Sequence, residues 1–293
     1  MEFLVRFWGT RGSIPTPGQG TKRFGGNTSC VELLIDDVLI ICDGGSGLRE
    51  LGLSLDSQKG APVEAHMFFS HMHWDHIQGF PFFVPAYSQK SKLYVYEVAK
   101  GQRRIKEMLH GQMSSDYFPV QFSDLGAQIL SGNLEPGATG IDGVTVRTFE
   151  QTHPGRSYAY SFEKGGKKFV YATDNELDLT LANREASLEA FHLPRQLPDA
   201  FVDFIRDADL LVADGQYTDE EYPAKVGWGH ARANTVVDAA IAANVKQCAI
   251  YHHDPMHSDS AVDDIIRIGQ QRVHARGASV TVFGAREGLA LKL

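Results

Sequence analysis

The stretch SHMHWDHIQG, residues 70–79, is the most informative in the chain, because it holds four ligand-type side chains within six positions. They are His71, His73, Asp75 and His76. Imidazole and carboxylate groups are ligands that divalent metals prefer. The segment follows MFFS, which predicts a strand, so we expect the four side chains on a loop held by a sheet. The first two can face one ion, and the last two can face a second ion.

Two ions need more ligands than this segment supplies, and further candidates lie at or next to predicted strand ends. They are His153 in TFEQTHP, Asp174 in FVYATD, and the pair His252 and His253 in CAIYHHD. A carboxylate such as Asp174 can bridge two cations, because its oxygens face both and its charge offsets their repulsion. All candidates are N or O donors without a thiolate, which favours Zn²⁺ and also suits Mn²⁺ or Fe²⁺.

The composition is that of an ordinary globular protein. Hydrophobic residues make up 43% and charged residues 22% of 293 residues, a length that suits one large domain or two small ones. A net charge of −8 makes nucleic-acid binding a poor default expectation. Three widely spaced cysteines (Cys30, Cys42 and Cys248) without C-x-x-C predict free thiols in a reducing compartment. No leader-like segment or long apolar run is present, so the sequence predicts a cytoplasmic protein with no membrane span.

Strand and helix patterns along the chain predict a layered α/β protein. Strands are predicted at 3–8, 31–43 (with a turn at Asp36-Asp37), 63–70, 92–98 and 248–252, and a hairpin at 157–174. Helices are predicted at 101–113, 234–246 and 258–274. Antiparallel strands early and β/α units late predict two sheets with outer helices. No linker or repeat marks a boundary, so residues 1–293 are predicted to form a single domain.

The motif SHMHWDH resembles the H-x-H-x-D-H signature of the metallo-β-lactamase fold superfamily. The resemblance extends over most of the chain through FWGTRGSIPTPG, FGGNTSCVEL, ICDGGSG, HPGRSYAYSF, YATD, LVADGQY and GHARANT. It is strongest for the branch that holds RNase Z (the tRNA 3′-end endonuclease), the cyclic phosphate diesterases of phosphonate metabolism and cyclic nucleotide phosphodiesterases. It implies a four-layer αββα sandwich with two mixed sheets and outer helices.

The resemblance also implies a role for each candidate ligand. One metal would be held by three histidines: His71, His73 and His153. The other would be held by Asp75, His76 and His252, with Asp174 bridging the two. His252 is preferred to His253 because it falls on the family's last ligand when the strand CAIYH is aligned. Members of the branch commonly form homodimers, which the sequence itself does not test.

The same resemblance points to a proton-transfer pair for phosphodiester cleavage. Two cations roughly 3.5–4 Å apart lower the pKa of a shared water and polarise a phosphoryl oxygen. His230 in GHARANT would then protonate the leaving oxygen, with Asp214 in LVADGQY orienting it, and Asp75 could assist as a base. The fold alone does not define the reaction. This pair, and the S-Y-A-Y that follows His153, favour the phosphodiesterase branch.

The region around the motif bears on the substrate. It is rich in aromatic residues, most of them expected in the core: Trp74, Phe80, Phe82, Phe83, Tyr87, Tyr117 and Phe118. One or two of them near the metals could stack on a base. Residues 77–150 contain no long lysine-rich arm, and the net charge of −8 also disfavours tRNA. The sequence therefore predicts hydrolysis of small cyclic phosphodiesters, such as 2′,3′- or 3′,5′-cyclic nucleotides.

Three alternatives stay open on the sequence. The first is tRNA 3′-end processing, which cleavage of a precursor tRNA without turnover of cyclic nucleotides would indicate. The second is a thioester or lactone hydrolase, which would depend less on Asp214 and His230. The third is a protein whose metals are not catalytic, which inactivity toward every phosphodiester would indicate.

Overall fold

The computed structural model of the protein describes residues 2–56, 62–98, 105–134 and 137–293. The predicted helix over 101–113 lies partly outside these residues, and its described part begins at Ile105.

The first sheet is built from the N-terminal half of the chain and is closed at one edge by the last strand. Its order in the described residues is β14-β1-β2-β3-β4-β5-β6. The strands are β1 (Phe3–Gly9), β2 (Cys30–Ile35), β3 (Val38–Cys42), β4 (Glu64–Phe68), β5 (Lys92–Val98), β6 (Gln128–Leu134) and β14 (Ala290–Lys292). The expected antiparallel pairing holds for β1–β3 only, because helical crossovers make β3–β6 parallel.

The second sheet has the order β13-β12-β11-β10-β9-β8-β7 in the described residues. Its strands are β7 (Thr139–Ile141), β8 (Val144–Gln151), β9 (Ser157–Lys164), β10 (Lys167–Ala172), β11 (Leu210–Asp214), β12 (Gln247–Tyr251) and β13 (Thr281–Gly284). The predicted hairpin is β9–β10, and β10 to β13 run parallel. Both sheets are therefore mixed, as predicted.

Helices cover the outer face of each sheet. They are α1 (Gly47–Asp56), α2 (Trp74–Ile77), α3 (Ile105–Gln112), α4 (Arg184–Glu189), α5 (Asp199–Ile205), α6 (Ala233–Ala242) and α7 (Asp259–Ala275). Helices α1 and α3 lie on the first sheet, and α5, α6 and α7 lie on the second. One apolar core fills the space between the sheets, which confirms the predicted αββα sandwich. None of the described helices combines the length and apolarity that a membrane crossing requires.

Ends of strands in both sheets meet at one edge of the sandwich. Hydrogen bonds join the sheets there: for example, Tyr158 donates its backbone N–H to the Ser70 carbonyl at 2.9 Å, and Tyr160 Oη donates to the Phe69 carbonyl at 2.6 Å. The segment after β4 is thereby held against β9. The residues after β10 and β12 reach the same edge, since those strands are parallel neighbours of β11. Side chains from distant parts of the sequence therefore converge at this edge.

Candidate metal centre

The structure brings all seven predicted ligands into one cluster. Among the described residues, histidine and carboxylate side chains form four overlapping groups whose ligand atoms lie within 4.8 Å of one another. The groups contain His71, His73, Asp75, His76, His153, Asp174, Asp214, His230 and His252. Asp75 and His76 lie in the one-turn helix α2, whereas the sequence predicted a loop.

The Asp174 carboxylate lies between two pairs of histidine side chains. Its Oδ1 lies 3.3 Å from Nε2 of His76 and 3.3 Å from Nε2 of His252. Its Oδ2 lies 3.7 Å from Nε2 of His71 and 3.9 Å from Nε2 of His153. Each carboxylate oxygen therefore faces its own pair of histidines.

His73 joins the pair His71 and His153, and Asp75 joins the pair His76 and His252. The outer group is His71, His73 and His153, in which His73 Nδ1 lies 3.1 Å from His153 Nε2. The inner group is Asp75, His76 and His252, in which Asp75 Oδ2 lies 3.3 Å and 3.2 Å from the two imidazole Nε2 atoms. These are the two sets that the resemblance implied.

The outer group is open to solvent at His73, which is exposed, while His71 is buried. His153 donates from Nδ1 to the backbone carbonyl of Gly229 at 2.9 Å. This hydrogen bond assigns the tautomer and leaves the lone pair of Nε2 facing the cluster, 3.1 Å from His73 Nδ1. His71 contacts Ser70 Oγ through Nδ1 at 3.1 Å.

The inner group is buried and each histidine is held by a side chain. His76 donates from Nδ1 to Asp43 Oδ2 at 2.7 Å, and His252 donates from Nδ1 to Gln216 Oε1 at 3.0 Å. Asp75 Oδ2 accepts the backbone N–H of Ser13 at 2.7 Å. Orientation of metal-ligating histidines by such partners is usual in metal sites.

Asp43 anchors the inner group to the interior of the sandwich. Its carboxylate also accepts the backbone N–H and the hydroxyl of Ser70, both at 2.7 Å, and the hydroxyl of Tyr171 at 2.8 Å. Asp43 has a positive φ of 61°, which the turn DGGSG imposes. No role was predicted for Asp43 from the sequence, although it lies in ICDGGSG, one of the motifs that carry the family resemblance.

The electrostatics of the cluster set the protonation of its members. Burial lowers the pKa of His71, His73 and His153, so these imidazoles are neutral at physiological pH. Burial opposes ionisation of Asp75 and Asp174, but the surrounding histidines outweigh it and lower the pKa of both carboxyls. Neutral imidazoles and ionised carboxylates are the forms in which these groups bind metals.

Burial likewise lowers the pKa of His76, but three carboxylates around it, Asp75, Asp174 and Asp43, raise that pKa well above its usual range. The inner group therefore lies in a strongly negative potential that a cation would neutralise.

Two observations test whether these residues fit divalent ions. Nε2 of His71 and Nε2 of His76 are buried and have no hydrogen-bond partner. An unpaired buried polar atom is costly unless another ligand satisfies it. The donors around both atoms are imidazole nitrogens and carboxylate oxygens, the set that suits Zn²⁺ or Mn²⁺. The residues therefore fit a pair of divalent cations.

The predicted proton-transfer pair lies at the same site. His230 and Asp214 are buried, and His230 Nδ1 lies 2.8 Å from Asp214 Oδ2 and 3.8 Å from Asp174 Oδ2. Asp214 also accepts the backbone N–H of Gln216 at 3.0 Å. Burial lowers the pKa of His230, but the Asp214 carboxylate outweighs burial and raises that pKa to about 9. His230 therefore carries a proton at neutral pH.

His253 lies outside the cluster. Its Nε2 donates to the backbone carbonyl of Ala285 at 2.8 Å. Burial lowers its pKa to about 3, so it is a neutral core residue. Of the two candidates, the structure places His252 in the cluster and His253 outside it.

A buried glutamate that the sequence did not reveal organises the loop before His230. Glu176 Oε1 accepts the N–H of Gly227 at 2.7 Å and the hydroxyl of Tyr222 at 2.8 Å, and its Oε2 accepts the N–H of Gly229 at 2.8 Å. Through Gly229 this loop contacts His153. No local pattern could have shown this role, because the partners lie 46 to 53 residues away in the sequence.

Comparisons with known proteins agree with this geometry. The sequence model of a family described as "Beta-lactamase superfamily domain" matches residues 40–253. Ribonuclease Z of Natronomonas pharaonis is 24% identical over an alignment that covers 90% of this chain and 93% of that protein.

Two solved structures share the fold. The metallo-β-lactamase fold protein YhfI of Bacillus subtilis superposes with a TM-score of 0.70 at 16% identity, over 100% of this chain and 99% of its own. A diphosphatase from the PhnP family superposes with a TM-score of 0.67 at 16% identity, over 99% of this chain and 98% of its own. The predicted superfamily is thus confirmed: the chain belongs to the beta-lactamase superfamily and is a metal-dependent hydrolase with the metallo-β-lactamase fold.

Proposed function

We propose that the protein is a two-metal phosphodiesterase that hydrolyses small cyclic phosphodiesters, in particular cyclic nucleotides. The observation that carries this proposal is the two-sided arrangement about Asp174, with the His230–Asp214 pair beside it. Two ligand groups that share one carboxylate suit a pair of cations, and cleavage of phosphate esters is one of the reactions that such pairs catalyse.

The proposed ligand sets follow the two groups. The outer group would hold one ion and the inner group the other, with Asp174 shared between them. Zn²⁺ is the proposed metal and Mn²⁺ is the alternative, since the donors suit both. When bound, such ions supply Lewis acidity toward a phosphoryl oxygen and lower the pKa of water.

The protein's own side chains would move the protons. Water attacks phosphorus and gives a proton to the Asp75 carboxylate as the bond to the leaving oxygen breaks. His230 gives its proton to that oxygen. Because Nδ1 of His230 is engaged by Asp214 at 2.8 Å, the available atom is Nε2. Asp214 holds the ring in this orientation and stabilises its charged form.

A turnover panel with the metal-loaded protein tests the proposal. It includes bis(p-nitrophenyl) phosphate, purine and pyrimidine 2′,3′- and 3′,5′-cyclic nucleotides, and a precursor tRNA. We expect hydrolysis of at least one cyclic nucleotide, and a drop in kcat of about 10²–10⁴-fold in His230→Ala, the range for loss of a general acid. His274→Ala, which changes an exposed histidine, is the matched control. Full activity in both variants would contradict the role of His230.

Ribonuclease activity is the second candidate, because curated relatives such as that of Natronomonas pharaonis, 24% identical, are named Ribonuclease Z. The net charge of −8 argues against a polyanionic substrate. Cleavage of the precursor tRNA at its 3′ end, with no turnover of cyclic nucleotides, would favour this candidate.

Self-association is a separate proposal. The homodimer that the family resemblance implies stays a prediction, and sedimentation equilibrium of the purified chain tests it.

A further inference from the structure

A cavity of about 730 Å³ opens next to the metal centre. Its lining includes Met72, Trp74, Ile77, Glu107, Met108 and Tyr117. The volume lies in the range of pockets that hold small organic ligands. None of the lining residues belongs to the outer or the inner group, so the cavity is a second feature of the site.

Part of the cavity wall comes from the ligand segment, residues 70–79. Met72 and Trp74 flank His73 in the sequence, and Ile77 follows His76. His73 is also the exposed member of the outer group. The cavity therefore lies beside the part of the chain that carries the exposed ligand of the outer group.

The wall suits a flat apolar group. Trp74 is 69% exposed and Tyr117 is 77% exposed, so two large aromatic side chains are left uncovered beside a reactive centre. Met72 and Met108 add polarisable thioethers, which pack favourably against aromatic rings. Exposed aromatic side chains are the platforms on which proteins stack single bases.

The cavity is preformed by contacts between its two sides. Gln112 of α3 donates from Nε2 to the Ile77 carbonyl of α2 at 3.1 Å. Phe118, next to Tyr117, packs edge to face on Phe82 with ring centroids 5.4 Å apart. These contacts hold Tyr117 and α3 over the ligand segment, so little ordering is required when a ligand binds.

The charge of the cavity lining determines which end of a nucleotide would lie in the cavity. Glu107 is the one ionised side chain among the described residues that line the cavity. Its carboxylate repels a phosphate and accepts hydrogen bonds only, which suits the N–H groups on the edge of a base. The phosphate is thus favoured at the cations and the base in the cavity.

We propose that this cavity binds the nucleobase of the substrate, with Trp74 as the stacking residue. The proposal rests on the function proposed above, because it assigns the substrate's base to a place beside the same metal centre.

Calorimetric binding to the Zn²⁺-loaded protein tests the cavity without requiring turnover. The ligands are adenosine 3′-monophosphate and the matching methyl riboside 3′-monophosphate, which carries the same phosphate but no base. We expect the parent protein to bind the nucleotide roughly 5- to 150-fold more tightly, the effect of one stacked base. Trp74→Ala should abolish this preference and Trp74→Phe should keep part of it.

Trp228→Ala is the matched control. Trp228 is also exposed, at 58%, but it lies outside the cavity lining, and Lys225 Nζ already covers its ring at 4.0 Å from the centroid. The preference for the nucleotide should persist in this variant. Equal binding of both ligands by the parent, or loss of the preference in Trp228→Ala but not in Trp74→Ala, would overturn the proposal.

Hydrolysis of the two corresponding 2′,3′-cyclic phosphates separates this proposal from the function. A kcat/KM ratio that favours the nucleotide in the parent and collapses in Trp74→Ala supports both proposals. If neither compound is hydrolysed while the binding preference follows Trp74, the proposed function fails and the cavity assignment stands. If both are hydrolysed at equal rates and no binding preference exists, the cavity assignment alone fails.

Discussion

The outer and inner groups of the metal centre contain similar side chains but differ in how the protein supports them. The inner histidines, His76 and His252, are fully buried and are held by the side chains of Asp43 and Gln216. In the outer group His73 is exposed, and His153 is held by a backbone carbonyl. Burial and side-chain partners orient ligands more firmly, so the inner group is suited to retaining its ion and the outer group to meeting substrate.

The supports of the two groups also belong to different parts of the fold. Asp43 connects the inner group to Tyr171 on β10 and to Ser70 after β4, so it joins both sheets. Gly229 connects His153 to a surface loop that Glu176 organises. Substitutions in the sheets should therefore weaken metal binding more at the inner group than at the outer group. Substitutions in the loop should have the opposite preference.

The largest effect is expected from Asp174→Ala, because this carboxylate faces both groups. Bound metal should fall for both ions, and activity should fall by about 10³-fold or more, beyond the ~10–100-fold that follows loss of an outer-sphere partner. Metal analysis and kcat/KM check this outcome. The control is Asp264→Ala, which removes an exposed carboxylate that pairs with Arg267 at 3.0 Å. If the Asp174→Ala variant still bound two ions, the interpretation that both ions share Asp174 would be wrong.

Asp43→Asn tests chiefly the inner group, because Asp43 contacts His76 directly and reaches His71 of the outer group only through Ser70. The carboxylate accepts hydrogen bonds from His76, Ser70 and Tyr171, and an amide in its place cannot accept all of them. The affinity for one of the two ions should fall about 10–100-fold while that for the other stays near the parent value. Titration against a competing chelator measures both. Equal weakening of the two ions would show that the groups are not independent.

Glu176→Gln tests the outer group. One oxygen becomes an N–H₂ that cannot accept from the peptide N–H groups of Gly227 and Gly229, so the loop before His230 loses at least one hydrogen bond. A loss of about 1 kcal/mol corresponds to a drop in kcat/KM of about 5-fold. The inner ion should be retained, as chelator titration would show. Glu220→Gln, at an exposed glutamate, is the matched control.

The smallest effect is expected from Tyr171→Phe. This change removes one buried hydrogen bond of 2.8 Å to Asp43 and leaves the ring in place. The free energy of unfolding should fall by about 1 kcal/mol, and the affinity for the inner ion by about 2- to 5-fold. Urea unfolding and metal titration check the two values. A larger effect on the outer ion than on the inner ion would contradict the separation of the groups.

Local sequence determined the ligand types of this protein and part of its elements, since β6, β11, β13, α1 and α5 were not among the predicted strands and helices. The spacing H-x-H-x-D-H places its donors within six positions, and apolar runs mark the strands that carry His153, Asp174 and His252, so neighbours in the chain suffice to predict them. The superfamily resemblance added the pairing of Asp214 with His230, which the structure shows at 2.8 Å.

Tertiary structure alone decided the parallel order of β3 to β6 and the surroundings of each ligand. The partners of His76, His153 and His252 lie 33, 76 and 36 residues away in the sequence, so only packing of the two sheets brings them together. The aromatic cavity has the same origin. Trp74 and Tyr117 carry no pattern that distinguishes them from the buried Phe80 and Phe83, because exposure depends on what α2 and α3 cover once they are docked.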